Sequence, residues 1–162
     1  MHELDIDSSQ PKPALYASIA AQLRALVEGE PDLIANLANA AALLFHALPE
    51  LNWAGFYLLK NGELVVGPFQ GRPACVRIAL GKGVCGTAAE RRATVVVANV
   101  HEFSGHIACD SASNSEIVVP LLRGDELIGV LDIDSPKFGR FDAEDQAGLE
   151  EVVAELVKAL SG

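Results

Sequence analysis

Apolar residues recur at helical spacing near the start of the chain. Leu15, Ile19, Leu23 and Leu26 form one stripe, and Gly29-Glu30-Pro31 ends it. Asp32 stands at the cap position of a second stripe at Ile34, Leu37, Leu44, Phe45 and Leu48, which Pro49 closes. The period then shortens. Leu51 to Leu59 is aromatic and aliphatic, Asn61-Gly62 is a hairpin signal, and Glu63 to Phe69 reads as the returning strand. Further strands are predicted from Cys75 to Ala79 and over Thr94–Val97, with a helix-forming run at Thr87–Arg91 between them. Residues 99 to 114 show no period, and their length and polarity mark a functional loop. A second hairpin joins Glu116–Leu122 to Glu126–Asp134 around Arg123-Gly124-Asp125. Asp142 caps a last helix with Leu149, Val152, Val153, Leu156 and Leu160 on its apolar side.

Hairpins bracketed by helices predict an α+β fold, an antiparallel sheet with the N-terminal helices and the C-terminal helix packed on one face. Residues 1–12 read as an N-terminal arm and 13–162 as one domain. With 162 residues, half of them hydrophobic, the chain is long enough for a sizeable core. A net charge of −10 argues against nucleic acid and anionic membranes as partners. The acidic start lacks the cations of a secretory signal, and Asn36 and Asn39 interrupt the longest apolar stretch. A cytoplasmic protein is expected.

Three cysteines, Cys75, Cys85 and Cys109, carry the candidate chemistry. An odd number argues against a disulfide scaffold and leaves packing, metal binding or redox work. His106 and Cys109 could share a zinc ion, but no Cys-x-x-Cys pair accompanies them, so no metal is expected. Cys109 lies in the long polar loop, where a thiol can meet solvent. Cys85 sits at the start of a short helix, which favours a thiolate, yet its flanks Val84 and Gly86 also suit tight packing. Alternation turns Asp132 and Asp134 to one face of a strand and Leu131 and Ile133 to the other. Trp53 and Tyr57, four apart, share a face.

Three segments together resemble a GAF domain: Trp53-Ala54-Gly55-Phe56-Tyr57, Leu80-Gly81-Lys82-Gly83-Val84-Cys85-Gly86 and Gly129-Val130-Leu131-Asp132-Ile133-Asp134-Ser135. Adding Phe103 to Asp110 and Ser113 to Pro120, the chain resembles the enzymatic branch of that family, the free methionine-(R)-sulfoxide reductases. The resemblance implies about six antiparallel strands, a homodimer, no metal or bound cofactor, and electrons from thioredoxin. It implies that Cys109 attacks the substrate sulfur and Cys75 resolves the product. Cys85 matches a third cysteine, a second resolving thiol or an alternative nucleophile. Trp53, Tyr57, Glu116, Asp132 and Asp134 match substrate-pocket residues, with Glu116 and Asp134 as catalytic acids. A non-catalytic GAF module that binds a small molecule, or a redox sensor, is the alternative; neither needs turnover.

Overall fold

The computed structural model describes residues 5–105 and 112–161. Two helices, α1 (Lys12–Val27) and α2 (Leu33–Ala47), precede the hairpin β1 (Trp53–Lys60) and β2 (Glu63–Gly71). Strand β3 (Arg77–Ala79), helix α3 (Gly83–Arg91), strand β4 (Val95–Val97) and a 3-10 turn (Val100–Glu102) follow. Strands β5 (Ser115–Arg123) and β6 (Glu126–Ser135) and helix α4 (Ala143–Ser161) complete the chain. The six strands lie in the order β3-β2-β1-β6-β5-β4, each pair antiparallel. This is the α+β arrangement expected from the hairpin pattern. No helix among the described residues is long and apolar enough to cross a membrane.

Local signals act where the sequence places them. Asp32 accepts a hydrogen bond from the Ala35 N–H and caps α2. Asn61 and Gly62 both have positive φ, the conformation of a two-residue hairpin turn. Asp142 accepts from the N–H groups of Glu144 and Asp145, and the Asp145 carboxylate accepts from the Asp142 N–H, a reciprocal cap on α4.

The sheet has a different neighbour on each face. Ala54, Phe56, Leu58, Ile117, Val119, Leu121, Leu131 and Ile133 point toward α1, α2 and α4 and join the larger core. Each such aliphatic side chain taken fully from water contributes about 1.5–3 kcal/mol. A latch closes this side: buried Asp145 accepts from the Tyr16 hydroxyl at 2.7 Å, from Lys12 Nζ at 2.7 Å and from Arg140 at 3.3 Å. With the Asp142 N–H of the helix cap, four donors offset the desolvation of one carboxylate.

The opposite face carries a second, smaller core of Trp53, Tyr57, Ile78, Val84, Cys85, Ala88, Val118 and Val130, covered by α3. Gly86 lets α3 come this close, because a Cβ there would stand 2.4 Å from the Ala79 carbonyl oxygen. Helix α3 starts at Gly83, four residues before the helix-forming run at Thr87, so Cys85 lies inside its first turn. Strand β3 starts at Arg77 rather than Cys75; at this edge only three residues find partners on β2. Cys75 therefore sits in the preceding loop, outside the sheet ladder.

Candidate functional site

Strand register brings the polar residues of the α3 face together. Trp53 of β1 lies opposite Asp134 of β6, and Asp134 lies opposite Glu116 of β5. One row further, Gly55 stands opposite Asp132 and Asp132 opposite Val118. Like charges facing each other across antiparallel strands are ordinarily destabilising. A row of acids under a helix instead of solvent is therefore a feature of the site. It is no solvated strand face: Glu116 is 7% exposed and Asp132 5%.

Above the acids stands an aromatic wall. The Trp53 indole stacks on Phe69 at 5.1 Å and on Tyr57 at 5.8 Å between ring centres, and its Nε1–H donates to the Arg72 carbonyl. Gly55 makes room for this stack; a Cβ there would lie 2.2 Å from Phe69 Cβ and 2.9 Å from the indole edge. The first turn of α3 supplies the other wall. A cavity of about 40 Å³ remains between them, lined by Trp53, Tyr57, Cys85, Glu116, Asp132 and Asp134 among others.

Electrostatics in the cavity are dominated by burial. Burial, and then the neighbouring acids Asp132 and Asp134, hold the Glu116 carboxyl well above the usual carboxylate range. A buried acid so placed holds its proton to higher pH than a solvated carboxyl does. The Cys85 thiol is likewise pushed up, first by burial and then by Asp132, Glu116 and Asp134. The helix start that favours a Cys85 thiolate in the sequence is thus overridden by burial and then by the acids packed against it. Tyr57 is shifted upward by burial and by Asp132. Among the described residues, Cys85, Glu116 and Asp132 bring one ligand atom each within 4.8 Å of one another. This donor set favours a small cationic group.

Of the other thiols, Cys75 is half-buried, stands in a disulfide and follows directly on Pro73 and Ala74, which line the cavity. Cys85 is a free, buried thiol. Cys109 and His106 lie outside the described residues. The loop bearing them is anchored at both ends: the Val100 N–H donates to the Asn114 carbonyl, Asn114 N–H to the Ser135 carbonyl, and Asn52 Nδ2 to Ser113 Oγ. Ser113 itself lines the cavity.

Residues 34–161 match the GAF domain family model. Free methionine-R-sulfoxide reductase of Escherichia coli is 55% identical over 93% of this chain and 91% of its own length. The structure of free methionine-R-sulfoxide reductase from Neisseria meningitidis in complex with its substrate aligns with a TM-score of 0.94. It is 45% identical and covers 99% of this chain and 96% of that one. The reduced form of the Staphylococcus aureus protein aligns with a TM-score of 0.88 at 54% identity, covering 90% of this chain and 94% of that one. The chain belongs to the free methionine-R-sulfoxide reductase family of GAF domains.

Of the residues that the family resemblance marks, six line one cavity: Trp53, Tyr57, Cys85, Glu116, Asp132 and Asp134. Sequence reasoning did not single out Lys82 or Ser113, which line it too. Lys82 lies between the two glycines of Gly81-Lys82-Gly83, within a motif already noted, but its own side chain carries no periodic signal. Ser113 precedes a strand by two residues and looks like any loop serine.

Proposed function

We propose that the protein reduces free methionine (R)-sulfoxide to methionine with its thiols, drawing electrons from thioredoxin. The observation that carries this reading is the carboxylate row of Glu116, Asp132 and Asp134, the first two buried, sharing one cavity with the Trp53 indole. The acids suit a substrate ammonium, in the place where the cluster favours a cation. The indole suits an S-methyl group through apolar and sulfur–aromatic contact. The names of the relatives point to the same substrate.

In this reading the Cys109 thiolate attacks the sulfoxide sulfur. Glu116 or Asp134 delivers a proton to the sulfoxide oxygen, and the upward shift of the Glu116 carboxyl supports it as the donor. The S–O bond breaks, methionine leaves and Cys109 carries the oxygen as a sulfenic acid. The Cys75 thiol displaces that oxygen as water and forms a disulfide, which an external dithiol reduces by exchange. A disulfide at Cys75, together with a free and strongly proton-retaining Cys85, supports Cys75 as the resolving thiol and speaks against Cys85 as nucleophile. Cys85 then serves the site mainly by packing, from α3, against the acids.

The test is turnover of racemic free methionine sulfoxide with excess dithiothreitol, followed by chiral chromatography. Loss of one epimer, abolished in Cys109→Ser and retained in Cys85→Ser, is the expected result. Loss that survives Cys109→Ser and vanishes in Cys85→Ser would exchange the two roles. No consumption by the wild type would leave the cavity as a ligand-binding site without chemistry.

A further inference from the structure

An amino acid carries two charges, and the carboxylate row accounts for one. The substrate carboxylate, entering a cavity with three acids in its floor, meets repulsion unless a cation lies within reach. Among the described residues lining the cavity, the one basic side chain is Lys82. It lies at the exposed rim and takes part in no ion pair among the described residues, so the cavity acids do not neutralise it. Its backbone is held firmly: Lys82 N–H donates to the Ala79 carbonyl at 3.1 Å, and its own carbonyl accepts from Gly86 N–H at 3.0 Å. The Gly81 N–H closes the same loop onto the Gly86 carbonyl at 2.8 Å. A long flexible side chain thus projects from a fixed base at the mouth of an acidic cavity.

We propose that Lys82 is the specificity-determining residue that binds the substrate α-carboxylate and so selects a free amino acid over a methionine sulfoxide inside a peptide. This rests on the reading that methionine sulfoxide occupies the cavity. The cavity is bipolar: acids in the floor take the ammonium and the rim lysine takes the carboxylate. An internal peptide residue has neither charge and leaves both poles unmatched.

The experiment compares wild type, Lys82→Met and Lys82→Arg on two substrates, free methionine sulfoxide and methioninamide sulfoxide, which lacks the carboxylate charge. Lys82→Met is expected to raise KM for the free amino acid about 10–100-fold, the worth of one charge-assisted contact, with kcat changed much less. On the amide, wild type and Lys82→Met should have the same KM, and Lys82→Arg should recover most of the affinity for the free acid. Trp53 is the chain's single tryptophan and lines the cavity, so its fluorescence reads occupancy without turnover. Unchanged KM in Lys82→Met, or an equal loss on acid and amide, would overturn the assignment. Binding seen by fluorescence without reduction would sink the reaction while the acid-against-amide comparison still decided Lys82. No binding of either ligand to the wild type would overturn both.

Discussion

Replacing Glu116 by glutamine asks how much stability the site gives up. One oxygen of Glu116 and one of Asp132 lie within 4.8 Å. Two full negative charges at that distance repel by about 3.5 kcal/mol at an effective dielectric of ~20. Glu116 avoids this by keeping its proton, its carboxyl held up by burial and by Asp132 and Asp134. In the unfolded chain it ionises near its ordinary value of 4.5. The folded state therefore binds this proton more tightly than the unfolded state. Its contribution is fully present below the unfolded value and is lost as pH rises toward the raised folded one. Glutamine keeps the shape, has no proton to lose and can donate an N–H to an aspartate. Glu116→Gln should stabilise the fold by about 1–3 kcal/mol at pH 8, where each kcal/mol moves the melting point by roughly 2–4 °C in a domain of this size. At pH 5, still above the isoelectric point of about 4.7, the advantage should shrink toward zero. Near-ultraviolet circular dichroism melts of both proteins at pH 5 and 8 measure this. An equal gap at the two pH values, or a lower melting point for the variant at pH 8, would refute the argument. The same variant should lose about 10²–10⁴-fold in turnover if Glu116 supplies the proton.

Three further outcomes follow from particular contacts. Trp53→Ala removes two stacked ring contacts and the hydrogen bond to Arg72, and should cost about 3–5 kcal/mol in urea unfolding; Trp53→Phe should recover most of the stability and only part of the substrate affinity. Asp145→Ala leaves Lys12 and Arg140 without their shared buried partner and should cost about 3–5 kcal/mol; because Asp145 lies on the helical side, KM of the folded variant should stay as in wild type, and a changed KM would contradict the separation of the two faces. Cys85 should resist alkylation by iodoacetamide in the native protein at pH 8 and react at the rate of a model thiol once unfolded; equally fast native labelling would contradict a buried thiol held protonated by its acidic neighbours.

Much of this architecture is written in local pattern. The period of Leu15, Ile19 and Leu23 marks a helix with one buried face, and Asn61-Gly62 dictates a hairpin because both residues tolerate positive φ. The alternation of Leu131 and Ile133 with Asp132 and Asp134 is enough to separate the two faces of β6, since strand geometry turns successive side chains to opposite sides. The family motifs mark the pocket residues individually. What the alternation leaves open is what covers each face. Only the packed structure lays α3 over Asp132 and Glu116, and that burial turns an ordinary acidic strand into a proton-holding cluster. Only strand register sets Asp134 directly across from Glu116 on one side and from Trp53 on the other, and so brings β1 into a site whose other strands lie far along the chain. Cys85 shows the limit most clearly. Its helix start, a local feature, favours a thiolate, but burial, and after it the acids brought in from β5 and β6, reverse the sign. Lys82 is silent in the sequence for the same reason: a charge acquires a role from the cavity it borders, and the cavity exists only once the sheet has formed and α3 has docked on it.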